Sequence, residues 1–195
     1  MLIEKPQPAY AGIGSRITPT NIKNVMTSIA TYMSGKGWTL RSGHAEGADK
    51  SFEQIMVDFK NPNPREIYLP WKGYNGADKS NFYISPVNYP FTDEEERITK
   101  FYHPNWAKCT PSARLLHKRN TRIILGLADA ENFARPVRMV ICWTEQGKII
   151  GGTGQALRLA KGLNIPVVNF GEARDQQELE ALIHQIDDMS EKLKG

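Results

Sequence analysis

The stretch Leu40–Glu53 reads LRSGHAEGADKSFE. The β-prone residues Trp38 and Thr39 precede it, and the apolar run stops at Arg41. Ser, Gly, His, Ala, Glu, Gly, Ala and Asp then fill positions 42–49. Phe52, Ile55, Met56 and Phe59 then recur at the i, i+3, i+4, i+7 spacing of a helix with one buried face. The stretch therefore predicts a strand over 38–41, a tight turn, and a helix over 48–59. A strand that enters a helix through a small-residue turn is the first half of a βαβ unit. Whether the chain repeats this pattern decides the fold class.

The chain does repeat it. PAYAGI (8–13) reads as a strand that leads into GSRITPT. Thr18 is placed to cap a helix with Pro19 at its first position, where the missing N–H costs nothing. Ile22, Val25, Met26, Ile29, Ala30 and Met33 form its apolar stripe, and Gly35 and Gly37 end it. NPNP (61–64) breaks the chain before REIYLPW (65–71), a third strand. Thr92 to Glu95 is a T-x-x-E capping box that opens a helix to about Tyr102, and DEEE (93–96) suits the positive end of its dipole. HPNW (103–106) is another break. A helix over 111–129 carries Ala113, Leu116, Ile123, Ile124 and Leu127 on its apolar side. PVRMVICW (136–143) is nearly continuous in apolar residues, as a strand buried on both faces of a parallel sheet must be. The glycine turn TEQGKIIGGTG, a helix over Gln155–Lys161, a fifth strand IPVVNF (165–170) and an amphipathic C-terminal helix over 175–193 complete the chain.

Strands alternating with helices across connections of this length predict an α/β fold. Residues 1–195 read as a single doubly wound Rossmann-like domain, with a mostly parallel sheet of five or more strands and right-handed crossovers. Residues 71–91 depart from the rhythm. This aromatic-rich insertion holds Trp71, Tyr74, Phe82, Tyr83, Tyr89 and Phe91, and it exceeds the ~12–15 residues usual for a structureless loop. It is either a surface loop pinned by its own aromatics or a lid whose rings stack on a ligand.

Bulk composition narrows the functional classes. The chain has 195 residues, 40% hydrophobic and 24% charged, with a formal net charge of +4. That balance is compatible with a phosphate-bearing partner, but no Lys/Arg block longer than two residues suggests a nucleic-acid tail. Cys109 and Cys142 form no C-x-x-C pair, and His44, His103, His117 and His184 show no zinc-ligand spacing, so no metal and no cofactor are expected. The N-terminus lacks a signal-peptide h-region, and no run approaches the ~18 apolar residues of a membrane span. A cytoplasmic protein without membrane association is the expectation.

In open parallel sheets ligands bind beyond the carboxyl ends of the strands, at the topological switch point. GIGSR (12–16), SGHAEGAD (42–49) and TEQGKIIGGTG (144–154) occupy such positions, and glycine turns at helix N-termini present backbone N–H groups to anions. GIGSR lacks the third glycine of a dinucleotide fingerprint, and no segment matches the P-loop. The candidate ligand-binding residues are Gly14, Ser15 and Arg16 from the first loop. Ser42, Gly43, His44, Glu46, Gly47 and Asp49 come from the second. Thr144, Glu145, Gly151, Gly152, Thr153 and Gly154 come from the third. Arg16 is suited to pairing a phosphate bidentately, and Thr153 adds a hydroxyl beside free amides. Asp49 reads either as part of the pocket or as a helix cap. Glu46 reads either as a ribose acceptor or as plain surface.

Taken together, GIGSR, SGHAEGAD, HKRNTRIILG (117–126) and WTEQGKIIGGTGQALRLAKGLNIPVVNF (143–170) resemble the SLOG superfamily of Rossmann-like proteins. That group includes the DprA (Smf) proteins, the LOG phosphoribohydrolases and the related molybdenum-cofactor carrier proteins. DprA-like proteins carry a similar SG-x-A-x-G-x-D turn and R-N-x-x-I segment, and LOG proteins carry P-G-G-x-G-T-x-x-E after the equivalent strand. The resemblance implies that Arg119 and Asn120 lie at the pocket floor and that the chain forms a homodimer or higher oligomer. It also exposes a departure, because Arg158 falls at the position of the LOG glutamate, and a cation cannot serve there as a general base. Glu145 and Glu46 are then the remaining candidate catalytic carboxylates.

Three functions are compatible with these features. The first is binding of a nucleotide or nucleotide-derived small molecule, as a sensor, carrier or sequestering protein. The second is N-glycosidic hydrolysis of a nucleotide, and the third is DprA-like binding of single-stranded DNA.

Overall fold

The computed structural model describes residues 7–55, 65–77, 83–127 and 135–194. In chain order the elements are β1 (Ala9–Gly14), α1 (Thr20–Gly35), β2 (Thr39–Ser42), α2 (Ala48–Glu53), β3 (Arg65–Tyr68), β4 (Tyr83–Ile84), α3 (Asp93–Tyr102), α4 (Pro111–Leu125), β5 (Met139–Trp143), α5 (Gly151–Gly162), β6 (Val167–Asn169) and α6 (Gln176–Lys192). The six strands form one sheet in the order β4-β3-β2-β1-β5-β6. Every neighbouring pair is parallel.

Strand alternation divides the interior into two cores. Tyr10, Met139 and Ile141 face one side, where they meet Met26 and Met33 of α1, Phe52 of α2 and Ile186 of α6. Ala9, Ala11, Ile13, Val140 and Cys142 face the other, where they meet Ile123 and Ile124 of α4 and Ala156, Leu157 and Ala160 of α5. Helices cover both faces, which is why β5 is apolar at successive positions instead of alternating with polar ones.

From β1 the chain builds outward through β2, β3 and β4, and then returns to add β5 and β6 on the opposite side of β1. The order reverses between β1 and β5. Their following loops therefore part from each other and open a crevice at the carboxyl edge.

Some boundaries differ from the sequence expectation. The strand expected over 65–71 ends at Tyr68, and that over 165–170 is confined to Val167–Asn169. A sixth strand, β4, lies inside the 71–91 insertion, where Tyr83 and Ile84 pair with Ile67 and Tyr68. Two residues are too few to display a period of two. Tyr74, from the same segment, is buried in the first core. Residues 78–82, the apolar positions Met56 and Phe59, and the end of the expected 111–129 helix beyond Leu127 lie outside the described residues.

Thr18 does not cap α1. The N-cap is Pro19, and the buried Thr18 hydroxyl donates instead to the Ser15 carbonyl at 2.7 Å, closing the loop after β1. The Thr92 capping box does form: the Glu95 amide donates to Thr92 Oγ1 at 3.1 Å, and the Thr92 amide donates to Glu95 Oε2 at 2.8 Å.

Glu95 has a second role. Arg122 of α4, 2% exposed, donates from Nε to Glu95 Oε1 at 2.5 Å and from Nη2 to Glu95 Oε2 at 2.8 Å. It also donates to the carbonyls of Tyr89 and Pro90 at 2.6 and 2.7 Å. Its guanidinium lies 4.2 Å from the Phe91 ring centroid. One planar fork thus fastens the end of the insertion and the start of α3 to α4. Among the described residues no helix is long and apolar enough to cross a membrane.

Arg122→Ala should lower the unfolding free energy by about 3 kcal/mol, because it strands a half-buried carboxylate and two carbonyls. Arg122→Lys should recover less than half of that, since a point charge cannot serve three acceptors at fork geometry. Urea denaturation of the three proteins measures both.

Candidate functional site

A cleft of about 410 Å³ opens where β1 and β5 diverge. Its floor is a buried ion pair: Arg119 Nη1 donates to Asp49 Oδ2 at 3.0 Å, and the two side chains are 6% and 4% exposed. The Gly14 amide donates to Asp49 Oδ1 at 3.3 Å, and the Ala45 amide to Oδ2 at 3.4 Å. One carboxylate therefore joins the end of β1, the second loop and α4. Asp49 lies within the first turn of α2, whose N-cap is Gly47, so it is not the helix cap.

The second loop is shaped by what surrounds it. A Cβ on Gly43 would overlap the Arg119 guanidinium, so the arginine occupies space that only glycine leaves. Gly47 has φ +85° and packs against the Ser15 and Arg16 backbone, where a side chain has no room. The Ala48 amide donates to the Ser15 carbonyl at 3.3 Å, and the Ser15 amide donates to the Trp143 carbonyl at 3.0 Å. The second loop thus braces the first, and the first is tied to β5.

The far wall is the start of α5. Its N-cap, Ile150, makes no side-chain cap, and no acidic residue occupies the first turn. The first amides of such a helix have no intrahelical partner. Asn120 Nδ2 donates to the Gly152 carbonyl at 2.9 Å and sets α4 against this turn. Asn169, at the end of β6, holds the preceding loop: its Oδ1 accepts the Thr144 amide at 3.0 Å, and its Nδ2 donates to Thr144 Oγ1 at 2.7 Å. Ile17 and Ile150, 67% and 55% exposed, join Ala113 and Leu116 to give the cleft an apolar side.

Burial pushes the Asp49 carboxyl up to about 6, against the opposing pull of Arg119 and with help from the Glu53 charge. Desolvation of a wholly enclosed carboxylate outweighs one cation beside it. Arg119 Nε is buried with no partner among the described residues.

Of the sequence candidates, Gly14, Ser15, Arg16, Asp49, Arg119, Asn120, Thr144, Glu145, Gly151, Gly152 and Thr153 line this cleft. Ser42, Gly43, His44, Glu46, Gly47 and Gly154 do not. The Ser42 hydroxyl is buried and donates to the Gly12 carbonyl at 2.7 Å. His44 has φ +59°, and its Nδ1 lies 2.7 Å from Glu53 Oε2 with its ring against Tyr83, so it turns away from the cleft. Glu46 is exposed and accepts from Lys50 at 2.5 Å, one helical turn on. Gly154 is buried against Ile149. Arg158 donates to the Ile149 carbonyl at 2.9 Å and braces the loop that precedes α5.

Among the described residues of the insertion, none lines the cleft. Asn75 Nδ2 instead donates to the His44 carbonyl at 2.9 Å, so the segment supports the second loop from behind. The sequence candidates omitted His117 and the apolar lining of Ile13, Ile17, Ala45, Ala113, Leu116 and Ile150, and also Asn169, His103 and Cys109 beside the cleft. Asn169 had a signal, since it ends a strand at the edge where ligands bind. His103 and Cys109 had none, because they meet His117 only through the fold. Burial pushes His117 down to about 4, with the charges of His103, Arg119 and Arg158 adding to the effect.

No family model matches the chain, and no curated protein matches it. Among solved structures the chain is similar to DNA processing protein A from Helicobacter pylori, a protein described for its single-stranded DNA binding mode. Identity is 14% and the TM-score 0.46, over 84% of this chain and 65% of that one.

Gly43→Ala should displace Arg119 and destabilise the protein by about 1–3 kcal/mol, the range for overpacking a filled interior. Carbon-detected NMR should show the Asp49 carboxyl titrating near 6. In Arg119→Gln that midpoint should rise further, because the group that opposes the shift is gone.

Proposed function

We propose that residues 1–195 form one SLOG-type domain that binds a nucleotide or nucleotide-derived small molecule in this cleft, as a sensor, carrier or sequestering protein. A single observation carries the reading. An uncapped helix N-terminus, Gly151 to Thr153, faces the Ser15–Arg16 loop across a cleft floored by Arg119. Anions favour such a terminus because unpaired amides and the helix dipole act together. The phosphate sits on the Gly151, Gly152 and Thr153 amides, with Arg16 opposite and Arg119 beneath. The base or second moiety rests on Ile17, Leu116 and Ile150, the apolar side of the same cleft, and not under the described aromatics of residues 71–91. Arg158 braces the α5 loop and supplies no acid or base, which supports binding without turnover.

Calorimetry across nucleoside mono- and diphosphates and cyclic dinucleotide-type ligands tests the proposal. At least one should bind, and Arg16→Ala should weaken it about 5–10-fold, the share of one charge-assisted contact. Arg119→Gln should weaken it about 10–100-fold. Affinity for a phosphodiester, whose charge is constant between pH 5 and 7, should rise as pH falls through about 6. Protonating Asp49 leaves the Arg119 charge unneutralised under the ligand. If no nucleotide binds while oligonucleotides bind with a steep salt dependence, single-stranded DNA replaces the small molecule. Release of free base, lost in Glu145→Gln, would make the protein a hydrolase instead.

A further inference from the structure

His103, Cys109 and His117 converge at the rim of the cleft from separate parts of the chain. His103 follows the last residue of α3, and its amide donates to the Lys100 carbonyl at 3.3 Å. Cys109 closes the short turn at Trp106–Lys108, with its amide donating to the Trp106 carbonyl at 3.1 Å. His117 stands on α4. Trp106 is buried, and the Arg114 guanidinium lies 5.2 Å from its ring centroid, which folds this turn back onto α4.

We propose that these three residues form a binding site for Zn²⁺ or a similar borderline divalent transition metal, with one coordination position left open. His103 Nε2 is 3.1 Å from His117 Nε2 and 3.7 Å from Cys109 Sγ. All three ligand atoms lie within 4.8 Å of one another. Usual Zn–N and Zn–S bond lengths give tetrahedral edges of about 3.3 Å between two nitrogens and about 3.6 Å between nitrogen and sulfur. Two of the three edges are therefore already at coordination length, and the third closes by rotation of the half-buried Cys109. Two imidazoles and a thiolate are a borderline-to-soft donor set, which selects against Mg²⁺ and Ca²⁺. Binding moves the His103 ring proton to Nδ1, giving up the 3.2 Å hydrogen bond from the Asn105 amide at an exposed position. The Cys109 thiol proton is released to solvent. Three protein ligands leave the fourth position to water or to a ligand oxygen, and His117 also lines the cleft.

Co²⁺ alone, titrated into the full chain, tests the site independently of what the glycine loops bind. One equivalent should produce the near-ultraviolet thiolate-to-cobalt band and the intense visible bands of a tetrahedral ion, both removed by Zn²⁺. Cys109→Ser should abolish the near-ultraviolet band, and Cys142, buried in the sheet, should not replace it. His103→Ala should weaken binding at least tenfold, while His184→Ala, on the surface of α6, should leave it unchanged. Circular dichroism checks that each variant is folded. No tetrahedral spectrum in the folded wild type, or a thiolate band that survives in Cys109→Ser, would overturn the proposal.

Discussion

The buried ion pair between Arg119 and Asp49 is the constraint on which the carboxyl edge of the sheet depends. Its carboxylate also receives amides from β1 and from the second loop, so three elements that diverge in sequence meet at two oxygens. Burying the pair is costly: desolvation outweighs the cation strongly enough to lift the acid to about 6. An apolar pair of the same volume would hold the elements together at less expense. What such a pair lacks is a guanidinium at the floor of a cleft. The loss of side-chain space at Gly43 follows from accommodating the Arg119 guanidinium, while the left-handed turn at Gly47 lets the second loop pack on the Ser15 and Arg16 backbone.

A second arginine, Arg122, stands less than one turn further along α4. Arg122 collects the carboxylate of the α3 capping box and two carbonyls of the preceding segment. Glu95 therefore belongs to a local helix-start motif and to a long-range clamp at once. By fixing α3 on α4, the clamp also sets where the chain re-emerges at His103. Cys109 reaches His103 and His117 by a separate route, the Trp106–Lys108 turn held against Arg114 of α4.

Much of the lining of the cleft was legible in the chain. Glycines and hydroxyls after β1 and β5 mark the two loops that flank the switch point, and both line the cleft. The distinction between the two candidate carboxylates was not legible. Glu46 and Glu145 each follow a strand in a glycine-bearing loop, yet one pairs with Lys50 in solvent and the other lines the cleft. His44 looks like a ligand contact by position, but its positive φ aims it at Glu53. Side-chain direction in a tight turn depends on backbone dihedrals that residue type alone does not specify.

Local physics settled the fold class. The 3.6-residue stripe of α1, the capping box at Thr92 and the continuous apolar run of β5 each declare themselves within a dozen residues, because period and burial on two faces are written in neighbouring side chains. The two-residue edge strand at Tyr83–Ile84, the diversion of Thr18 from cap to loop closure, and the meeting of His103 and Cys109 with His117 required the folded chain. Each depends on partners far away in sequence, and no local pattern encodes which distant backbone will arrive beside it.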